Sequence, residues 1–449
     1  MEGSLQGSNE TPKVEESAAS HSAVDEMRSL LKENRAGNRR GIYSVCSANR
    51  LVLEAALAQA KQDGSPLLIE ATCNQVNQEG GYTGQTPAQF RDYVHAIAKE
   101  SNFATERLIL GGDHLGPNPW RSLSAEAAME KACVMVSAYA AAGFNKIHLD
   151  ASMRCADDPH VLANEEIAER AARLCEVAEA AVSTSSGKPV YVIGTEVPTP
   201  GGAQEEMEIE VTSTASLKET LDVHHRAFSR RNLLSAWERI AGVVVQPGVE
   251  FGNETIADYV PAKAGELIQS ILQYEGIVFE AHSTDYQSAE SLRQLVSGHF
   301  GILKVGPELT FMMREAIFGL ARIEEEWIAG ERHSEIRVVI ERVMVEHPEN
   351  WKAYYHGNES QVRFARAYSL SDRIRYYWPN TEISKALARL IQNLQESPAP
   401  LPLVGQYLPL QAEAMRAGAI HNDPIAIIHH KVRESLARYA EACGFVLGG

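Results

Sequence analysis

Aspartate, glutamate and histidine side chains recur where short apolar segments of this chain end. Asp113 and His114 follow one such segment, Glu196 ends a second and His282 follows a third. If these segments are strands of a barrel, the residues at their carboxyl ends meet at one mouth, where such folds place catalysis. Imidazole and carboxylate groups together favour zinc or manganese over calcium. The pattern therefore predicts a site for a divalent metal ion (Zn, Mn or Mg) that polarises a carbonyl group.

Each of these residues, taken alone, also fits a structural role. A histidine at a strand end commonly makes a structural hydrogen bond, and Asp150, which shares a strand face with His148, could cap the next helix. The glycines near positions 111 and 201 could simply turn the chain. The combination of three strand ends favours a functional site over three unrelated structural residues.

Groups able to hold a phosphate also follow the predicted strands. Glycine amides and hydroxyl groups donate hydrogen bonds to such an anion, and a lysine adds positive charge. The candidate substrate- and phosphate-binding residues are Asp150, Gly202, Ser283, Thr284, Lys304 and Gly306. Lys304 could instead pair with Glu280 or Glu308. The sequence contains no Gly-x-x-x-x-Gly-Lys-Ser/Thr pattern for a nucleotide.

Eight short apolar segments alternate with longer segments of helical periodicity. Each has the length of a buried parallel strand, and eight βα units are the number that closes a barrel. The predicted strands are Gly41–Cys46, Pro66–Thr72, Leu108–Gly112, Lys146–Asp150, Pro189–Glu196, Gly242–Gln246, Gly276–Ala281 and Gly301–Val305. A doubly wound open sheet is the alternative, but no Gly-x-Gly-x-x-Gly follows the first strand. We therefore predict an α/β protein with a (β/α)8 TIM barrel.

The chain divides into three predicted parts. Residues 1–22, rich in Ser, Glu and Gly, are expected to form a disordered tail. Residues 23–330 carry the (β/α)8 barrel, beginning with a helix ahead of the first strand. Residues 331–449 form a helical capping region, an extra C-terminal helical lobe that covers the barrel.

An aromatic and basic segment lies within this lobe. Arg373 and Arg375 could reach the phosphate of a substrate. Alternatively, Tyr376, Tyr377 and Trp378 only attach the lobe to the barrel, and this packing role is the interpretation we favour.

The overall charge excludes several classes of partner. Lys and Arg number 42 against 59 Asp and Glu, which gives a net charge of −17. Nucleic acids and anionic membranes are bound through clustered positive charge, so neither is an expected partner. No Cys-x-x-Cys pair, signal peptide or long apolar segment is present in the sequence, and we expect a soluble cytoplasmic protein with reduced thiols. Self-association to a homo-oligomer stays open.

Five motifs together resemble the Z-type subunit family of D-tagatose-1,6-bisphosphate aldolase, and the resemblance runs from about residue 25 to the C-terminus. The motifs are Gly111-Gly-Asp-His-Leu-Gly-Pro-Asn-Pro-Trp120, Ile147-His-Leu-Asp-Ala-Ser152, Gly194-Thr-Glu-Val-Pro-Thr-Pro-Gly-Gly202, Phe279-Glu-Ala-His-Ser-Thr-Asp-Tyr286 and Ser371-Asp-Arg-Ile-Arg-Tyr-Tyr-Trp-Pro379. The resemblance implies a non-catalytic partner that stabilises a class II aldolase catalytic subunit. Some relatives instead epimerise D-tagatose 6-phosphate at C4, and others carry a tagatose-6-phosphate kinase label, which the missing nucleotide loop does not support.

The chain is more distantly similar to class II fructose-bisphosphate aldolases. That similarity implies that Asp113 is catalytic, that His114 and His282 bind the metal, and that Glu196 lies where those enzymes keep a carboxylate. It breaks down after the sixth strand, where those enzymes have another metal-binding histidine and this chain offers Gln246 and Glu250.

These resemblances imply an enzyme of tagatose and galactitol catabolism that acts on a phosphorylated ketohexose. We expect a D-tagatose 6-phosphate 4-epimerase that works by retro-aldol cleavage, with the non-catalytic aldolase subunit as the alternative. The expected catalytic bases are Asp113 or Glu196. The expected metal ligands are His114, Glu196, Glu250 and His282. The prediction requires that the imidazoles of His114 and His282 meet beside Asp113.

Overall fold

The computed structural model describes residues 22–182, 187–197 and 209–445. Gly202 and nearly all of the predicted N-terminal tail lie outside these residues. Among the described helices, none is both long and apolar enough to cross a membrane.

Eight parallel strands close into a barrel, which confirms the predicted fold and excludes the open sheet. Their order around the barrel is β1-β10-β9-β6-β5-β4-β3-β2. The barrel strands are β1 (Ile42–Val45), β2 (Leu67–Thr72), β3 (Leu108–Leu115), β4 (Lys146–Leu149), β5 (Val190–Ile193), β6 (Ile240–Val245), β9 (Val278–Ala281) and β10 (Phe300–Val305). Between β6 and β9, the chain adds a short antiparallel hairpin of β7 (Glu250–Phe251) and β8 (Ile256–Ala257).

Helices follow the strands and form the outer layer of the barrel. Their first residues carry the expected caps, such as the Asn49 side chain and the Thr86–Gln89 capping box. These helices are α2 (Arg50–Asp63), α3 (Pro87–Glu100), α4 (Ala125–Ala141), α5 (Asn164–Ala181), α6 (Thr214–Arg230), α7 (Leu234–Trp237), α8 (Gly265–Ile271), α9 (Ala289–Ser297) and α10 (Pro307–Trp327).

The helix ahead of the first strand, α1 (Ala23–Arg35), lies against the barrel at the end away from the strands' carboxyl termini. Met27 and Leu31 are buried there in one apolar cluster with Ile42 and Ile302, from the starts of β1 and β10. Because this end of the barrel is filled with hydrocarbon, polar chemistry is confined to the opposite end.

The C-terminal segment is helical, as predicted. It contains α11 (Ile336–Glu346), α12 (Glu359–Tyr368), α13 (Thr381–Glu396), α14 (Leu401–Tyr407), α15 (Pro409–Arg416) and α16 (Pro424–Ala442). The last helix packs against α2, α9 and α10, so it completes the helical layer around the barrel. The boundary at residue 330 stays a prediction.

Candidate active site

Three imidazole rings meet at the carboxyl ends of the barrel strands. The ring centroids of His114 and His282 lie 4.8 Å apart, and His148 lies 5.1 Å from the first and 5.2 Å from the second. Each of these histidines and Asp113 offers one ligand atom, and the four atoms lie within 4.8 Å of one another. The predicted meeting of His114 and His282 beside Asp113 is confirmed, and His148 joins them.

An irregularity in β3 explains how two neighbouring residues both reach this cluster. Gly112 pairs with Ile147 and Leu115 pairs with Leu149, so β3 has two intervening residues where β4 has one. Such a bulge re-aims side chains that would otherwise point to opposite faces. It is completed by the left-handed backbone of His114, whose φ is 50°. The predicted strand ended before this point, whereas β3 continues through the bulge to Leu115.

Strand periodicity places the remaining members of the cluster. His148 lies two residues after Lys146 on β4, and His282 lies two residues after Glu280, so each pair points into the barrel on one strand face. On β3, Gly111 makes room for the side chain of Glu70, which a Cβ atom there would overlap.

Carboxylates contact all three rings, and the Nδ1 atom of His148 lies 3.1 Å from Asp113 Oδ1. The Nδ1 atom of His114 lies 2.8 Å from Asp150 Oδ2, and the Nε2 atom of His282 lies 2.9 Å from Glu280 Oε1. Each contact fixes the ring and leaves its second nitrogen available, the arrangement that metal-binding histidines usually show. The Nε2 atom of His148 is buried and has no hydrogen-bond partner among the residues that the structure describes.

Buried charges surround the rings. Lys146 Nζ lies 2.5 Å from Glu70 Oε1 and 2.7 Å from Glu280 Oε2. Lys304 pairs with Glu70 and with Asp113, not with the Glu280 or Glu308 that the sequence suggested. Burial lowers the pKa of Lys304 to about 8.

The charges of this group do not balance. Its four buried carboxylates are Glu70, Asp113, Asp150 and Glu280, and two buried lysines, Lys146 and Lys304, pair with them, so the carboxylates outnumber the lysines by two. Burial opposes ionisation of Asp113, yet the neighbouring imidazoles hold the pKa of that carboxyl well below its usual range. A divalent cation would balance the group, and the unpartnered nitrogen of His148 is a donor for it. The residues present therefore fit a metal ion.

Two predicted ligands lie outside the cluster. Glu196 is exposed and accepts a hydrogen bond from the Thr212 hydroxyl at 2.7 Å. Glu250 starts the β7–β8 hairpin and accepts the amide of Phe251. The structure offers His148 in their place. Its spacing to Asp150 was visible in the sequence, but nothing there fixed which residue would join the two histidines.

A cavity of about 660 Å³ opens beside the cluster. Its lining includes Cys46, Tyr82, Asp113, His114, His282, Ser283, Asp285, Lys304, Gly306, Arg375 and Tyr376. Of the predicted phosphate-binding residues, Ser283, Lys304 and Gly306 are thus placed on the cavity. Asp150 instead holds His114, and Thr284 is fully buried with its hydroxyl donating to the Lys304 carbonyl at 2.6 Å.

The start of α10 is already occupied by a carboxylate. Asp285 Oδ1 accepts the amides of Gly306 at 2.9 Å and Glu308 at 2.8 Å. Burial and the charge of Glu308 raise the pKa of Asp285 to about 7. Sequence reasoning did not select Asp285, although a cavity carboxyl that titrates near neutral pH is suited to proton transfer.

The C-terminal lobe supplies one wall of the cavity. Arg375 and Tyr376 line it, and the Tyr376 ring lies 4.8 Å from that of Tyr82. Arg373 is turned away: its guanidinium lies over the Tyr354 ring at 3.2 Å and donates to the Asn350 carbonyl. Of the two arginines that the sequence placed within possible reach of a phosphate, Arg375 lines the cavity and Arg373 does not.

The chain was also compared with known protein families and with solved structures. The family model described as D-tagatose-1,6-bisphosphate aldolase subunit GatZ/KbaZ-like matches residues 27–444. A crystal structure of a probable tagatose 6 phosphate kinase from Sinorhizobium meliloti 1021 is 46% identical, with a TM-score of 0.84 over 90% of this chain and 100% of that chain.

Two more distant structures are also similar. Fructose-bisphosphate aldolase from Campylobacter jejuni is 13% identical, with a TM-score of 0.46 over 84% of this chain and 94% of that one. Fructuronate-tagaturonate epimerase from Cohnella laeviribosi is 14% identical, with a TM-score of 0.45 over 91% of this chain and 82% of that one. Similarity this low carries no information about function here.

Proposed function

This chain belongs to the D-tagatose-1,6-bisphosphate aldolase subunit GatZ/KbaZ-like family, and from that premise we propose that it is a metal-dependent enzyme, a D-tagatose 6-phosphate 4-epimerase. The observation that carries the proposal is the cluster of three imidazoles and Asp113 beside a cavity of about 660 Å³. A protein that acted only as a scaffold would have no need for three imidazoles and four buried carboxylates beside an open cavity.

The metal-holding residues in this proposal are His114, His148 and His282, with Asp113 beside them. A divalent ion held there would act as a Lewis acid toward the oxygens of the substrate. Asp150 and Glu280 keep the rings of His114 and His282 in position, so the site is built before the ion arrives.

Asp113 is the base in this proposal. Its carboxylate lies 2.9 Å from the Lys304 ammonium, which favours the ionised form, so it can accept the proton of the C4 hydroxyl. The C4–O bond becomes a carbonyl, the C3–C4 bond breaks, and its electron pair enters the enediolate of dihydroxyacetone. Glyceraldehyde 3-phosphate turns its other face, the bond forms again, and the proton returns to the C4 oxygen. Glu196, the alternative base, is exposed and lies outside the cavity lining.

The test is turnover by the purified protein alone. D-tagatose 6-phosphate is incubated with the protein and Mn, Zn or Mg, and the sugar phosphates are separated. We expect D-fructose 6-phosphate without a partner. Triose products would identify an aldolase instead. No turnover alone, with activity only after a class II aldolase subunit is added, would contradict the proposal and identify the non-catalytic subunit that the family description also allows.

Two matched variants locate the base. Asp113→Asn should abolish turnover while its circular dichroism matches that of the wild type. Glu196→Gln makes the same chemical change at an exposed carboxylate outside the cluster and should keep turnover. The reverse result would assign the base to Glu196.

A further inference from the structure

We propose that Arg375 determines the specificity of this cavity by binding the phosphate of the substrate, so that the C-terminal lobe selects phosphorylated over free ketohexoses. This inference rests on the proposed function, because it concerns the substrate of the same cavity. It assigns a role to a residue that lies outside the barrel strands and outside the metal-holding cluster.

Hydrogen-bonding capacity is the first support. Arg375 Nη1 donates to the carbonyls of Ser371 and Asp372, and Nη2 donates to the Tyr376 hydroxyl at 3.0 Å. A guanidinium has five N–H donors, so these three bonds leave two without a protein acceptor among the described residues: the Nε–H and one N–H of Nη2. Nε and Nη2 share one edge of the planar guanidinium, and such an edge can bind two phosphate oxygens at once.

Charge is the second support. Two cationic side chains line the cavity in the described part of the chain, Lys304 and Arg375. Lys304 is paired with the carboxylates of Glu70 and Asp113. Within the same residues Arg375 forms no ion pair, although it lines a partly enclosed cavity. An unpaired cation in such surroundings is costly unless an anion joins it.

The two ends of the cavity are therefore complementary to the two ends of a sugar phosphate. The imidazole and carboxylate cluster suits the carbonyl and hydroxyl oxygens of the sugar. Arg375 and Tyr376, on the wall from the C-terminal lobe, suit a dianion. Retro-aldol chemistry also requires that the aldehyde fragment stays bound while it turns, and a fixed phosphate allows that rotation.

The turn that carries Arg375 is held from two sides. Asp372 has a left-handed backbone with φ of 42°, and its Oδ2 atom accepts a hydrogen bond from Thr310 of α10 at 2.6 Å. On the other side, Asn253 Oδ1 accepts the hydroxyls of Ser369 at 3.0 Å and Ser371 at 2.9 Å. Asn253 belongs to the β7–β8 hairpin, so this insertion after β6 positions the arginine before any ligand binds.

The experiment compares ligand binding by Arg375→Met and Arg373→Met, which make the same chemical change two residues apart. Calorimetry measures the affinity for D-tagatose 6-phosphate, for D-tagatose and for inorganic phosphate. Loss of a charge-assisted pair should weaken D-tagatose 6-phosphate binding by roughly 10- to 100-fold in Arg375→Met, with D-tagatose binding unchanged. Arg373→Met should bind like the wild type. Where turnover is measurable, KM should rise in Arg375→Met and kcat should fall, because the aldehyde fragment is then held less firmly while it turns.

A conservative variant distinguishes the loss of the phosphate contact from the loss of the fold. Arg375→Lys keeps the charge without the two-donor edge and should bind D-tagatose 6-phosphate with intermediate affinity. The inference is overturned if Arg375 variants that stay folded bind D-tagatose 6-phosphate as the wild type does, or if the wild-type protein binds neither this ligand nor phosphate. Phosphate-dependent binding without turnover would support the inference and contradict only the proposed catalysis.

Discussion

Replacing His148 by alanine tests the metal site most directly. His148 is the member of the cluster that the sequence did not assign, and its buried Nε2 atom has no hydrogen-bond partner in the described part of the chain. If a divalent ion binds between the three rings, the His148→Ala variant loses one of its ligands. If the ion is held by Glu196 or Glu250 instead, the variant keeps its affinity.

The size of the effect can be worked out for a thermal assay. Loss of residues that merely support a ligand weakens metal binding by about 10- to 100-fold, and we expect about 100-fold or more for a direct ligand. With metal at about 100 times the wild-type Kd, binding stabilises the wild type by about 2.7 kcal/mol. The variant, at about its own Kd, gains about 0.4 kcal/mol.

The expected temperature shifts follow from the chain length. An unfolding entropy of about 2.1 cal/mol/K per residue gives about 0.9 kcal/mol/K for 449 residues. Zinc or manganese should therefore raise the Tm of the chelator-treated wild type by about 3 °C and that of the variant by less than about 1 °C. Metal content per chain, measured by mass spectrometry after dialysis, gives an independent number.

A second buried histidine provides the control. His224 lies on α6, and its Nδ1 atom is 2.8 Å from the Thr220 carbonyl. His224→Ala loses a buried imidazole as His148→Ala does, so it should be less stable but should keep the full metal-dependent shift. An unchanged shift in His148→Ala, together with a lost shift in Glu196→Gln or Glu250→Gln, would refute the site described here.

Two further predictions concern stability. Lys146→Met removes the ion pairs of this lysine with the buried carboxylates of Glu70 and Glu280, so the free energy of unfolding in urea should fall by about 3–5 kcal/mol. Adding Glu280→Gln should recover part of that stability. A fall below about 1 kcal/mol would contradict the ion-pair geometry. Burial and the charge of Glu308 raise the pKa of Asp285 to about 7, so between about pH 4 and 7 the folded protein retains a proton that the unfolded chain releases. Wild-type stability relative to Asp285→Asn should therefore fall with rising pH in that window, by up to about 1.4 kcal/mol per pH unit, and equal slopes in urea titrations would contradict the raised pKa.

The sequence by itself determined the barrel and part of its site. Parallel strands that are buried on both faces have short, continuously apolar sequences, and all eight predicted strands are present. Asp113, His114 and His282 could be found because the carboxyl ends of barrel strands converge whatever the details of their packing. The helical C-terminal segment followed from its periodicity.

Only the tertiary structure decided which neighbours of those strands face the cavity. His148 enters the cluster and Glu196 does not, because strand register and the bulge in β3 set the direction of each side chain. Arg373 and Arg375 share one short turn, yet one packs on Tyr354 and the other lines the cavity. Side-chain direction in an irregular turn depends on contacts from distant parts of the chain, here α10 and the β7–β8 hairpin. The local sequence does not predict those contacts, so it could not distinguish the two arginines.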